Sequence, residues 1–251
     1  MQTIKTSIDW FDKIIPDGLP VKSTTIITGP GGSGKPLIGE CVLSSWLKNG
    51  GSAVIISLQY PSPEFVVESV KNITGTDINN YKDNLISIRL NTEIQDYEQT
   101  NKQLIEANLL KPEVWEQTLN FAEKQLPESD LGTMVFVSAL NLLFFSPTYG
   151  DVIFDKIKET IKRNTHLTYV ISVSTSAKKE KITQLEKMAD NLILSHSEKE
   201  PFRLFMTIKR LKAGHFEHNE IQIPVSVDTL NHIKEMAGHS REKVLPAILK
   251  I

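Results

Sequence analysis

Thr24-Thr25-Ile26-Ile27-Thr28-Gly29-Pro30-Gly31-Gly32-Ser33-Gly34-Lys35-Pro36 is the stretch that decides the fold. A β-branched run leads into a glycine-rich loop and a lysine, and the apolar segment 37–47 that follows has helical character. Strand, loop, lysine and helix form a phosphate cradle: glycines let successive N–H groups converge on an anion, and the helix N-terminus and the lysine add positive charge. The candidate ligands are Gly29, Pro30, Gly31, Gly32, Ser33, Gly34, Lys35 and Pro36. The full pattern is G-x4-G-K-[ST], whose last hydroxyl binds Mg²⁺, and here that position is Pro36. Pro36 fits the first helical turn, where its missing N–H would have no intrahelical partner anyway. The competing reading is a strand-to-helix turn that binds nothing.

Working outward, 251 residues allow one large α/β domain or two small ones. The only cysteine, Cys41, has no internal disulfide partner and reads as packing in a reducing compartment. The first residues lack an apolar signal-peptide region, and the uncharged stretch 131–150 is too short and too polar to span a bilayer. A cytoplasmic protein without a membrane partner is expected. The net charge of −2 gives no global field that would draw the chain to nucleic acid.

In chain order, 4–20 is a lead-in in which Ser7 is placed to cap a turn, with Ile8, Phe11, Ile14 and Ile15 on one face. The continuous apolar run 53–58 predicts a strand covered on both faces. A helix over 64–73 and a strand over 86–90 follow. Between 91 and 130 the composition turns to Gln, Glu, Asn and Lys, and Trp115, Leu119, Ala122 and Leu126 recur at helical spacing. The reading there is one helix against the sheet, with a mobile section around 91–105. Strands are predicted at 134–137, 167–173, 192–194, 202–208 and 221–227, with 135–137 expected beside the loop strand 24–28, and helices around 154–161 and 185–188. The pattern predicts a three-layer α/β domain with a mainly parallel sheet and an antiparallel extension at its C-terminal end. That domain is drawn over 1–228, and 229–251 is a helical tail.

Several stretches together resemble the KaiC-like branch of the RecA superfamily, close to archaeal RadA/Rad55-like ATPases. They are the opening Ile4-Lys5-Thr6-Ser7-Ile8-Asp9-Trp10-Phe11-Asp12, the turn Asp17-Gly18-Leu19-Pro20, the phosphate loop, and Ser57-Leu58-Gln59-Tyr60-Pro61. Lys209-Arg210-Leu211-Lys212-Ala213-Gly214-His215 resembles the family's Lys-x-Arg-Gly-x-x-His arm. The likeness spans 4–228 and implies a RecA-like domain that binds ATP or ADP. It also implies a homo-oligomer in which Lys209, Arg210, Lys212 and His215 reach a neighbouring subunit's nucleotide. Where the family has a Mg²⁺-binding hydroxyl this chain has Pro36. Its Walker B aspartate aligns with Val137, and its catalytic glutamate with Gln59-Tyr60. Gln takes no proton from water at neutral pH. Three losses at the metal and the base imply a pseudo-ATPase with weak or absent Mg²⁺ binding and a regulatory role through assembly or a protein partner. The alternative is a working RecA/RadA-type ATPase of DNA recombination or repair, with Glu40, Glu64 or Asp130 as substitute carboxylates.

Two further groups carry charge or metal-binding potential. Lys178, Lys179 and Lys181 occupy a loop that approaches single-stranded DNA in recombinase relatives. Glu180 among them and the absence of aromatics favour a solvated loop. His166, His196, His218, His232 and His239 show no metal-ligand spacing, so no zinc site is expected.

Overall fold

The computed structural model describes residues 2–251. Two short strands, β1 (Thr3–Ile4) and β2 (Leu19–Pro20), pair around helix α1 (Asp9–Ile14), which buries Phe11 and Ile14. Ser7 does not cap that helix. Its φ is 57°, and Asp12 instead accepts from the amides of Thr6 and Ser7, both at 2.9 Å. A carboxylate inside the helix can fold back on the entering chain, so Asp12 fastens the lead-in while the start of α1 has no side-chain cap.

The main sheet begins with β3 (Thr24–Gly29), followed by helix α2 (Lys35–Lys48), β4 (Ser52–Ser57) and helix α3 (Pro63–Thr74). After β5 (Leu85–Leu90) the chain makes a hairpin, β6 (Tyr97–Asn101) and β7 (Leu104–Ala107), and only then helix α4 (Pro112–Gln125). The sequence pattern placed mobile chain around 91–105, where most of this hairpin stands, while the helix read from Trp115, Leu119 and Ala122 is α4. β6 is an exposed edge strand of polar residues, so it carries no apolar alternation to read.

β8 (Thr133–Ser138), helix α5 (Gly150–Arg163), β9 (Thr168–Ser174), helix α6 (Lys179–Met188) and β10 (Asn191–Lys199) complete the alternating part. β11 (Phe202–Arg210) and β12 (Ile221–Ile223) then add antiparallel to it, and Val227 already belongs to helix α7 (Val227–His239). A π-helical turn (Ser240–Val244) leads to the short helix α8 (Leu245–Ile248).

The ten strands run in the order β12-β11-β10-β3-β9-β8-β4-β5-β7-β6, parallel from β10 to β7. This is the expected three-layer α/β architecture. One face packs α4 and α5 through residues such as Trp115 and Phe154, and the other packs α1, α2 and α3 through Phe11, Trp46 and Val66. Cys41 is buried in that second face, and burial pushes its thiol well above the usual range, so it is packing. One placement differs from expectation. Residues 135–137 do not lie beside β3, because β9 intervenes. Both strands are apolar and buried on both faces, so hydrophobicity cannot rank which of them takes the place next to the loop strand. Among the described residues no helix is long and apolar enough to cross a membrane.

Candidate functional site

The carboxyl ends of β3, β9, β8 and β4 share one edge of the sheet, where open α/β sheets bind ligands. The loop leaving β3 is pressed against β10. A Cβ on Gly29 would stand 2.0 Å from the backbone oxygen of Ser195, so no larger residue fits there. Gly34, at φ 73°, takes the left-handed step into α2, and a Cβ on it would meet Leu204 at 2.6 Å. Ser33 fastens the loop: its hydroxyl donates to the Pro30 carbonyl at 2.8 Å and meets the Ser195 hydroxyl at 2.8 Å. Among the described residues the amides of Gly32, Ser33 and Gly34 have no protein acceptor. With the start of a 14-residue helix behind them, they form the anion cradle read from the sequence.

Lys35 folds back over this loop, donating to the Pro30 carbonyl at 2.5 Å and to Ser33 Oγ at 3.2 Å. It is only 7% exposed, and burial pulls its ammonium down from 10.5 to about 8. A phosphate at the loop amides would give that ammonium the counter-charge it lacks. Pro36 follows within the first turn and contributes neither hydroxyl nor N–H.

The loop opens on a cavity of about 370 Å³, within the usual range for small ligands. Of the two residues at the family's glutamate position, Gln59 lines this cavity and Tyr60 does not. Tyr60 turns into the core, where its hydroxyl donates to Glu40. Ser69 donates to the same carboxyl at 2.8 and 2.9 Å. Glu40 is thus fully buried and committed, and is not a substitute metal ligand. Glu64 lines a different cavity, next to α3 and β5. Asp130 precedes β8, at the opposite edge of the sheet from the loop. Val137 is in the core, and its successors Ala139 and Asn141 face the cavity instead. Asn141 accepts from the Ser174 amide at 2.8 Å and Ser172 from the Ala139 amide at 2.9 Å, which ties β8 to β9 at the cavity floor. Among the described residues no Asp or Glu lines the cavity, and no cluster of three His, Cys, Asp or Glu side chains stands ready for a metal. The donor set therefore does not fit Mg²⁺.

No sequence signal marks the remaining wall. Met236, Ser240 and Arg241 line the cavity from the tail. No motif precedes Arg241 or Asn141, and only the fold brings them to the loop.

Neither lysine group lines the cavity, although Lys178 stands over the ring of Phe145 in its wall, 5.5 Å from Nζ to the centroid. Lys178 is the residue before α6, which starts at Lys179, so the expected loop is shorter than read. Lys181 is held by Asp151 at 2.6 Å and by the Gly150 carbonyl at 2.7 Å. β11 runs down from β10 and carries Lys209 and Arg210 to the amino edge, away from this chain's own loop. There Arg210 donates to the Glu186 carbonyl, Lys212 pairs with Asp190 at 3.2 Å, and the His215 amide donates to Asp17 at 2.8 Å.

The chain resembles known proteins in the same terms. A search of the curated proteins returned no match. The crystal structure of a KaiC-like protein from the hyperthermophilic archaeon Pyrococcus horikoshii OT3 superposes with a TM-score of 0.65 at 14% identity, over 88% of this chain and 94% of that one. The model of the family described as "ATPase: KaiC" matches residues 4–235, which include the phosphate loop, every strand of the main sheet and the arm. With more than nine-tenths of its length in that match, this chain belongs to the KaiC ATPase family.

Proposed function

We propose that this chain is a nucleotide-binding protein that holds ATP or ADP without Mg²⁺, hydrolyses it poorly, and acts by signalling its bound state to a partner or to other copies of itself. One observation carries the reading: the cavity at the phosphate loop keeps the cradle and Lys35 but has no carboxylate among the described residues. Metal-assisted phosphoryl transfer needs acidic ligands for the ion and a base or orienting group for water. Gln59 is the one side chain at the family's glutamate position that faces the cavity; it orients a water but does not deprotonate it.

The test is calorimetric titration with ATP in Mg²⁺ and in EDTA, beside a hydrolysis assay with and without single-stranded DNA. The expected affinities agree within about threefold, and phosphate release stays at background in both assays. Binding at least tenfold tighter in Mg²⁺, about 1.4 kcal/mol, would overturn the reading. Val137→Asp would bury a charge in the core, so the repair that suits this geometry is Pro36→Thr with Asn141→Asp. That pair is expected to make binding Mg²⁺-dependent while turnover stays slow.

For assembly, the arm supplies the contact between copies. Lys209→Ala with Lys212→Ala is expected to weaken self-association or nucleotide retention, since it removes the cations offered to a neighbour's phosphate. Sedimentation velocity with and without ATP measures this. A protein that stays monomeric in both conditions rules the contact out.

A further inference from the structure

We infer that Arg241 is a phosphate ligand supplied by the chain's own C-terminal segment, providing at the cleft the positive charge that a divalent cation provides in a metal-dependent site. The inference rests on the reading of the cleft as a nucleotide-phosphate site.

The segment is a strap anchored on both faces of the sheet. On one side, α7 begins at Ser226, whose hydroxyl accepts from the Thr229 amide at 3.1 Å. His232 stacks on Phe65 of α3 at 3.7 Å between ring centroids and donates from Nε2 to the Phe65 carbonyl at 3.1 Å. One turn on, Met236 is buried in the α2–α3 face and meets the Gln59 amide at 3.9 Å. On the other side, Ile248 is fully buried in the α4–α5 face, and the Ile251 carbonyl accepts from the Thr148 amide at 3.2 Å. The π turn between these anchors crosses the carboxyl edge of the sheet, and its residue Arg241 lines the same cavity as Gly31 to Lys35.

Two features single out Arg241. It is exposed, and among the described residues no carboxylate pairs with it. A surface arginine with no such partner, lining a cavity that already holds the buried cation Lys35 and no acid, is placed to receive an anion. The second feature is its position in the chain. The family match ends at residue 235, so the strap's crossing turn lies beyond what the family model describes. The ligand class that fits two cations and a row of free amides is a di- or triphosphate, as the tail of a nucleotide.

The experiment is titration of the full-length protein in EDTA with ATP, ADP and AMP. It compares the parent with Arg241→Ala, Arg241→Lys and Lys35→Ala, with thermal melting of each variant as a control. The expected result is a loss of about tenfold in ATP affinity for Arg241→Ala, a smaller loss for AMP, and partial recovery in Arg241→Lys, all at an unchanged melting temperature. If Arg241→Ala binds ATP like the parent while Lys35→Ala loses it, the phosphate-loop reading stands and this inference falls. An equal loss for ATP and AMP, or a loss accompanied by a lowered melting temperature, also overturns it, because the strap would then act only as structure. If the parent binds none of the three, both readings fall together.

Discussion

Lys35→Ala is expected to lower ATP affinity by at least about a hundredfold, close to 3 kcal/mol, while the fold survives. The side chain is 7% exposed and its ammonium has only a carbonyl and a hydroxyl for company, so the free protein carries an unbalanced charge beside an empty row of amides. A bound phosphate balances it, and alanine removes both the charge and its hydrogen bonds. Burial holds the free ammonium near 8, below its ordinary 10.5. An anion favours the charged form and pulls the value back up. Below about pH 7 Lys35 is protonated with or without ligand, and affinity should not change with pH. Above about pH 8 binding takes up a proton, and affinity should fall by up to about tenfold per pH unit until the bound-state value is passed. Titrations between pH 6.5 and 9.5 read this slope. A parent protein with pH-independent affinity across that range, or a Lys35→Ala variant that keeps the slope, would assign the phosphate contact to another group.

Glu40→Ala should have the largest effect on stability, a loss of about 2–5 kcal/mol in urea denaturation at pH 5. Truncation leaves the Tyr60 and Ser69 hydroxyls without their acceptor at a fully buried site and opens a cavity inside α2. Glu40→Gln keeps an acceptor oxygen and separates packing from charge. Burial raises the Glu40 carboxyl from 4.5 to about 7, against the opposing pull of the Tyr60 and Ser69 hydrogen bonds. Between those values the folded state binds more protons than the unfolded one, so the contribution of Glu40 is fully present below about pH 4.5 and lost as pH rises to about 7. The loss is about 3 kcal/mol at most. The Gln variant should lack that decline. If parent and Gln variant show the same pH dependence between 5 and 8, Glu40 is ionised throughout and the burial argument fails.

Both effects depend on where a side chain points, and the sequence carries that information unevenly. Residues 24–36 announced strand, loop and helix because each piece depends on local chemistry: β-branched residues, glycines in unusual backbone conformations, and a lysine at a fixed offset. Gln59-Tyr60 shows the limit. Adjacent residues after a strand point opposite ways, and nothing local says which of the two meets solvent. The tertiary environment decides it: a buried carboxylate on α2 captures the tyrosine hydroxyl and leaves Gln59 at the cavity. Val137 shows it again. The alignment put it at the metal position, yet it lies in the core, and the chain turns at Ala139 after the end of β8 so that Ala139 and Asn141 line the cavity. β6 escaped notice for a different reason, since an exposed edge strand needs no apolar residues to hold its ladder.

The sequence by itself determined the alternation of parallel strands and helices, the phosphate loop, and the loss of oxygen ligands at Pro36. Apolar runs, glycine placement and the identity of one residue after a lysine are local properties that survive in any environment. The tertiary structure alone decided that β9 separates β8 from the loop strand, that Glu40 is occupied, and that 240–244 crosses the sheet edge to bring Arg241 to the loop. Those facts depend on contacts between residues 20 to 200 positions apart, and no periodicity or spacing along the chain records such a distance.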